Sequence, residues 1–174
     1  MAQEIILSVV APDRPGLVDE VASVIAGHGG NWLAASMARL GGQFAGIVQA
    51  DIPNDQRDAF ERAIAGLASK GIEVSLRSED VPSGSVTQGH MAHLSLTGAD
   101  HPGIVRDISH TLAEHGVSIE QFHTQLFKGS MSGEALFAVQ ADMVLPEGLD
   151  EAELRGALED IAGDLLVEIE FKVD

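Results

Sequence analysis

The chain contains no cysteine, and this absence removes several kinds of chemistry at once. Without thiols there is no disulfide framework, no cysteine nucleophile and no thiolate metal site. Lysine and arginine are also scarce, at 10 residues against 27 aspartates and glutamates, with no basic run. Because nucleic-acid binders need a basic face that displaces counterions, the net charge of −17 argues against direct binding to nucleic acid.

Long apolar runs and targeting signals are missing as well. No apolar stretch is long enough to span a bilayer. The first residues, Met-Ala-Gln-Glu, lack the basic segment that opens a signal peptide. We therefore expect a soluble cytoplasmic protein that has no association with a membrane.

Motifs that carry catalysis or hold a metal are not found in the sequence. There is no Gly-x-Ser-x-Gly motif, no phosphate-cradling loop and no defensible Ser/His/Asp set. Most of the seven histidines fall in the second half, but their spacing does not suit a metal. His110 and His115, for example, lie five residues apart on one predicted helix and so point in different directions. We predict no enzyme activity, no catalytic residue, no cofactor and no metal site.

The chain does contain an internal repeat of one sequence unit. Residues 11–18, Ala-Pro-Asp-Arg-Pro-Gly-Leu-Val, return 87 positions later as residues 98–105, Gly-Ala-Asp-His-Pro-Gly-Ile-Val. A His-Gly pair at 28–29 returns at the same offset. Further on, the alignment slips by four, so that Val-Gln-Ala-Asp at 48–51 matches the same letters at 139–142. A repeat of this length indicates two small domains rather than a solenoid.

The domain boundaries follow from composition. We predict a first domain over 1–78, a linker over 79–89 that is rich in Ser, Gly and Pro, and a second domain over 90–174. Domains this small bury marginal cores, so we expect them to pack together or to form a homo-oligomer.

Each unit predicts the element order β-α-β-β-α-β. A β-branched strand precedes an Asp-x-Pro-Gly turn, and a helix follows whose apolar face includes Leu17 in the first copy and Ile104 in the second. Proline is expected just inside that helix, with the preceding aspartate as its cap. Second helices are expected over 56–69 and 151–163. The predicted fold class is α+β, with two ferredoxin-like domains whose antiparallel sheets carry helices on one face.

These features together resemble an ACT domain, and two such units with little else resemble the glycine cleavage system transcriptional repressor family. The resemblance rests on the Asp-x-Pro-Gly turn after the first strand, the apolar helix, and the Gly and Asn that open the second strand. It implies a non-enzymatic, amino-acid-responsive regulator that acts through a protein partner, such as a transcriptional activator or an enzyme. Glycine or a similar small amino acid is the implied ligand, held between paired domains near the first turn.

The implied ligand-binding residues come from both copies of the turn and from the start of each second strand. They are Asp13, Arg14, Pro15, Gly16, Leu17 and Asn31 in the first copy, and Asp100, His101, Pro102, Gly103, Ile104 and Ser118 in the second. Ser118 departs from the Asn that is often found at its position, so the first copy matches the family pattern better.

The chemistry of the turn suits a free amino acid, although other interpretations stay open. A helix N-terminus attracts a carboxylate, and Arg14 could bind one in a bidentate manner or simply face solvent. Asp13 could pair with an ammonium group or only cap its helix. At the level of the molecule, two alternatives are a regulatory subunit of an enzyme of amino-acid or folate metabolism and a ligand-free ACT dimerisation module.

Overall fold

The first unit contains four strands and two α-helices in the predicted order. The computed structural model describes residues 1–78, 88–131 and 133–174. The chain divides into two compact units, Met1–Gly84 and Ser85–Asp174. The elements of the first unit are β1 (Ala2–Pro12), α1 (Leu17–Gly27), β2 (Asn31–Leu40), β3 (Gln43–Pro53), α2 (Arg57–Gly66) and β4 (Glu73–Ser78), with 3-10 turns at Asn54–Gln56 and Leu67–Lys70.

The second unit repeats this order with longer elements near its end. Its elements are β5 (Gly89–Ala99), α3 (Ile104–Glu114), β6 (Ser118–Lys128), β7 (Ala135–Pro146), α4 (Glu151–Leu165) and β8 (Val167–Val173). The helix predicted over 56–69 is shorter than expected, because a 3-10 turn replaces its last part. The predicted linker over 79–89 falls almost entirely outside the described residues.

Each unit folds into a four-stranded antiparallel sheet. The strand order is β2-β3-β1-β4 in the first unit and β6-β7-β5-β8 in the second. Alternate residues of the central strands are buried, as a sheet with one covered face requires; in β1 these are Ile5, Leu7, Val9 and Ala11. They form one core with the apolar faces of α1 and α2, and the second unit builds a separate core in the same way. The predicted α+β class is confirmed.

The strand register corrects the alignment of the two copies. Ala2 pairs with Pro53 in the first unit, and Gly89 pairs with Pro146 in the second. The third strands are therefore equivalent at an offset of 93, so the slip relative to the first strands is six residues and not four. The identical Val-Gln-Ala-Asp letters are out of step by two residues in the fold. The extra residues lengthen the β6–β7 hairpin.

The recurring His-Gly pairs terminate the first helix of each unit. The Nδ1 atoms of His28 and His115 lie 2.7 Å from the carbonyl oxygen of Val24 and 2.8 Å from that of Thr111. Because a carbonyl only accepts, each ring must donate from Nδ1. The glycine that follows each histidine takes a positive φ, as a helix stop does. In the described part of the chain, no helix is long and apolar enough to cross a membrane.

Candidate functional site

The turn between β1 and α1 is held open by a glycine in the left-handed region. Gly16 is the N-cap residue of α1, with φ of 88°, and a Cβ built there would meet no atom within 4 Å. Glycine is therefore favoured by backbone conformation, and the space beside it is free. Pro15 precedes the cap, so the expectation that proline lies just inside the helix is wrong.

No side chain caps α1, which overturns the capping interpretation of Asp13. Its carboxylate instead accepts a hydrogen bond from Arg39 Nη1 at 3.0 Å, at the far end of β2. Asp100 does not cap α3 either, because Gly103 is the cap residue there. The first amide groups of both helices are consequently left without a side-chain acceptor, and such groups together with the helix dipole favour an anion.

Arg14 is anchored at two points. Its Nη1 donates to Glu20 Oε1 at 2.7 Å, and its Nη2 donates to the carbonyl oxygen of Lys70 at 3.2 Å. Lys70 Nζ lies 3.5 Å from the other Glu20 oxygen, Oε2, which is shielded from solvent. The hydrogen bond from Arg14 is the main cause that holds the pKa of Glu20 below its ordinary value, so this carboxylate is ionised at neutral pH.

A cavity of about 320 Å³ opens at this turn. Its lining residues are Asp13, Arg14, Gly16, Leu17, Val18, Asp19 and Phe44. The Leu17 side chain is only 4% exposed and belongs to the core, so the backbone is what Leu17 can offer a ligand. A larger cavity of about 700 Å³ lies beside the first residues of β1. There the guanidinium of Arg57 is held by Glu61 and Gln3. We take the turn as the candidate site because the uncapped start of α1 and the open space beside Gly16 lie there.

Asn31 does not join the turn of its own unit. It pairs with Asp51 at one end of β3, and its backbone N–H donates to the Asp51 carboxylate at 2.9 Å. The turn lies at the other end, beside Phe44. Seven register positions separate Phe44 from Asp51, about 23 Å at the usual strand rise. Asn31 and the predicted turn residues therefore do not share one ligand within the first unit.

The second turn has the same backbone and different side chains. Gly103 is again the left-handed cap, with φ of 98°. His101 stands where the first unit has Arg14; its Nδ1 lies 3.2 Å from the Pro102 oxygen. In the described residues, the shielded Nε2 of this ring has no hydrogen-bond partner. Ile104, like Leu17, is a core residue and only 2% exposed.

Ser118 is likewise remote from the second turn. It pairs with Val144, whereas Ala99, just before the turn, pairs with Leu136. These partners are eight residues apart on β7, about 26 Å at the usual strand rise. Both members of the Asn31–Asp51 pair thus differ in the second unit, since Ser118 and Val144 take their places.

Sequence reasoning missed several residues around the first turn. Glu20 could have been found, because it follows Arg14 by less than two helical turns and lies on the first turn of α1. Arg39, Phe44 and Lys70 carry no such signal, because only the fold brings them to the turn.

A second polar cluster lies on the sheet face of the second unit that faces away from the helices. His93 Nδ1 lies 2.6 Å from Asp142, and its Nε2 lies 3.1 Å from Asp174. The pKa of His93 is raised, mainly by the hydrogen bond to Asp142 and next by the hydrogen bond to Asp174. Within the described ranges, no group of three or more His, Asp or Glu side chains could hold a metal ion.

Known proteins share this architecture. A crystal structure of an unknown protein from Galdieria sulphuraria is 25% identical, with a TM-score of 0.83 over 100% of this chain and 99% of that one. A crystal structure described as a "putative glycine cleavage system transcriptional repressor" is 15% identical, with a TM-score of 0.73 over 100% of this chain and 98% of that one. No curated protein matches the chain.

The family model for the ACT domain matches the sequence twice, over residues 3–77 and 90–172. These ranges cover most of the chain, and they coincide with the two β-α-β-β-α-β units of the structure. The chain therefore belongs to the ACT domain family and contains two ACT domains in tandem.

Proposed function

We propose that this chain is a non-catalytic regulatory protein that binds a small free amino acid at the first turn and transmits binding to a protein partner. The ligand class is a zwitterion of the size of glycine or serine. The site consists of the Arg14 side chain, the first amide groups of α1 and the carboxylates of Asp13 and Asp19, which line the cavity.

The observation that carries this proposal is the charge arrangement around the cavity. Arg14 lines the cavity together with Gly16, Leu17 and Val18 at the uncapped start of α1, and a guanidinium beside free helix amides favours a ligand carboxylate. Asp13 and Asp19 line the same cavity and can accept from an ammonium group. A zwitterionic amino acid offers an opposite charge to both kinds of group, whereas a simple anion would bring a further negative charge next to Asp19 and to Asp13, whose carboxylate already accepts from Arg39.

The proposed regulation is transcriptional and indirect. The architecture is shared with a protein described as a repressor, and this supports a related role. The net charge of −17 favours a protein partner over DNA. Ligand would change partner affinity only through a difference in its own affinity for two states, a coupling of about 1–3 kcal/mol. We further propose that the protein is cytoplasmic and works as a homo-oligomer.

Calorimetric titration of the full chain with glycine and with L-serine tests this function. We expect saturable binding of at least one of them, and loss of that binding in Arg14→Met. Arg62→Met is the matched control, because it removes an exposed arginine from α2 and should bind like the parent protein. Absence of binding by the parent, or equal binding by Arg14→Met, would contradict the proposal.

A further inference from the structure

The chain contains the same turn twice, so the ionic contacts of Arg14 in the first unit can be compared with the contacts at the equivalent turn of the second unit. We propose that Glu20 and Lys70 are positioning residues that aim Arg14 at the ligand carboxylate, so that the first turn selects carboxylates more strongly than the second. This inference rests on the proposed function, since it concerns the same amino-acid site.

The contacts fix the guanidinium on the wall of the cavity. Arginine has a long flexible side chain with five N–H donors. Two of the Arg14 donors are used, by the Glu20 carboxylate and by the Lys70 carbonyl, and the others remain for a ligand. Fixing a binding group before the ligand arrives lowers the entropy lost on binding. Glu20 does not line the cavity, so its effect on ligand passes through Arg14.

Both anchors are themselves held in place. Glu20 lies in the first turn of α1, and its backbone N–H bonds the carbonyl of the cap residue Gly16 at 2.9 Å. Lys70 ends the 3-10 turn Leu67–Lys70, which is tied to the core by the buried Leu67. Lys70 therefore contributes twice, with a fixed carbonyl for Arg14 and an ammonium group near Glu20.

The second unit has no equivalent of the contacts that Arg14 makes with Glu20 and Lys70. The residue equivalent to Glu20 is Asp107, which pairs with its own neighbour Arg106 at 2.7 Å. The position of Arg14 holds His101. The register of β4 and β8 places Leu165 at the position of Lys70, since Gly71 and Leu166 both take a positive φ just before the last strand. The guanidinium beside the second turn is that of Arg106, whose Nη2 lies 3.5 Å from the position that a Cβ would take on Gly103. The Arg106 side chain is 80% exposed and that of Arg14 only 39%, so the cation of the second turn is less firmly held.

The experiment compares the full chain with glycine and with glycinamide, in which the carboxylate is replaced by a neutral amide. Affinities are measured by titration in an NMR tube, which reaches the millimolar range. We expect Glu20→Gln to weaken glycine binding about tenfold, as for a lost charge-assisted contact, with little change for glycinamide. Lys70→Met should act in the same direction. Thermal melts check that the variants fold.

The matched control is Asp107→Asn, which removes the equivalent carboxylate from α3 and should leave the glycine-to-glycinamide ratio unchanged. An unchanged ratio in both Glu20→Gln and Lys70→Met, or an equal loss for the two ligands, would overturn the positioning role while leaving the amino-acid site intact. Failure of the parent protein to bind glycine or L-serine would instead remove the proposed function, and this inference with it.

Discussion

At the residue scale, identity at a repeated position does not ensure an equal role. The two Asp-x-Pro-Gly turns share a glycine and a leucine or isoleucine of the core, and the sequence repeat shows both, but it did not show that the glycine is the cap residue. The role of Asp13 was not recognisable from sequence, because its partner Arg39 is 26 residues away and meets it only when the sheet forms. Sequence spacing identifies only residues that are close along the chain, and for Asp13 such neighbours suggested a cap of α1.

The pH response of His93 is a prediction at this scale. The pKa of this histidine is raised in the fold, chiefly by its hydrogen bond to Asp142. A raised folded-state pKa contributes stability that is complete below the unfolded value of about 6.5 and disappears as pH rises through the folded value. The stability difference between the parent and His93→Gln, from urea unfolding between pH 5.5 and 8.5, should therefore shrink with rising pH. His90→Gln, on the same strand, is the control; a difference independent of pH would contradict the assignment.

At the element scale, the strands explain why the alignment by letters was wrong. Side chains alternate between the two faces of a strand, so a shift of two residues keeps every residue on its own face. The hydrophobic pattern of β3 and β7 therefore fits an offset of 91 as well as the true offset of 93. The Val-Gln-Ala-Asp match favoured the offset of 91, which is wrong. The presence of a helix after each turn was easier to predict, because proline and glycine mark the turn, but each helix begins after the proline and not at it.

The start of α4 provides a prediction for an element. Asp150 accepts hydrogen bonds from the backbone N–H groups of Ala152 and Glu153, whereas α1, α2 and α3 have no side-chain cap. Asp150→Ala should lower the free energy of unfolding by about 1 kcal/mol, the usual cost of losing such a cap. Urea unfolding measures the change. Glu159→Ala, which removes an exposed carboxylate from the middle of the same helix, should have a much smaller effect; equal losses would argue against capping.

At the scale of the whole molecule, the two units share one fold and differ in the side chains at their first turns. The element order, the sheets and the two domains could be predicted, because they follow from a repeat and from apolar periodicity. The sequence groups only part of the candidate site. Arg14 and Gly16 lie in one short segment, but Asn31 and Ser118 lie about 23–26 Å from the turns of their own units by strand rise, a distance that no local pattern reveals.

The most direct test of the proposed function is a glycine titration of the uniformly ¹⁵N-labelled full chain, followed in proton–nitrogen NMR spectra. Backbone amides report where a ligand binds as well as whether it binds. We expect saturable shifts at the amides of Gly16 to Glu20, with much smaller shifts at the equivalent Gly103 to Asp107. Shifts concentrated in the second turn, or none in either, would contradict an amino-acid site at the first turn.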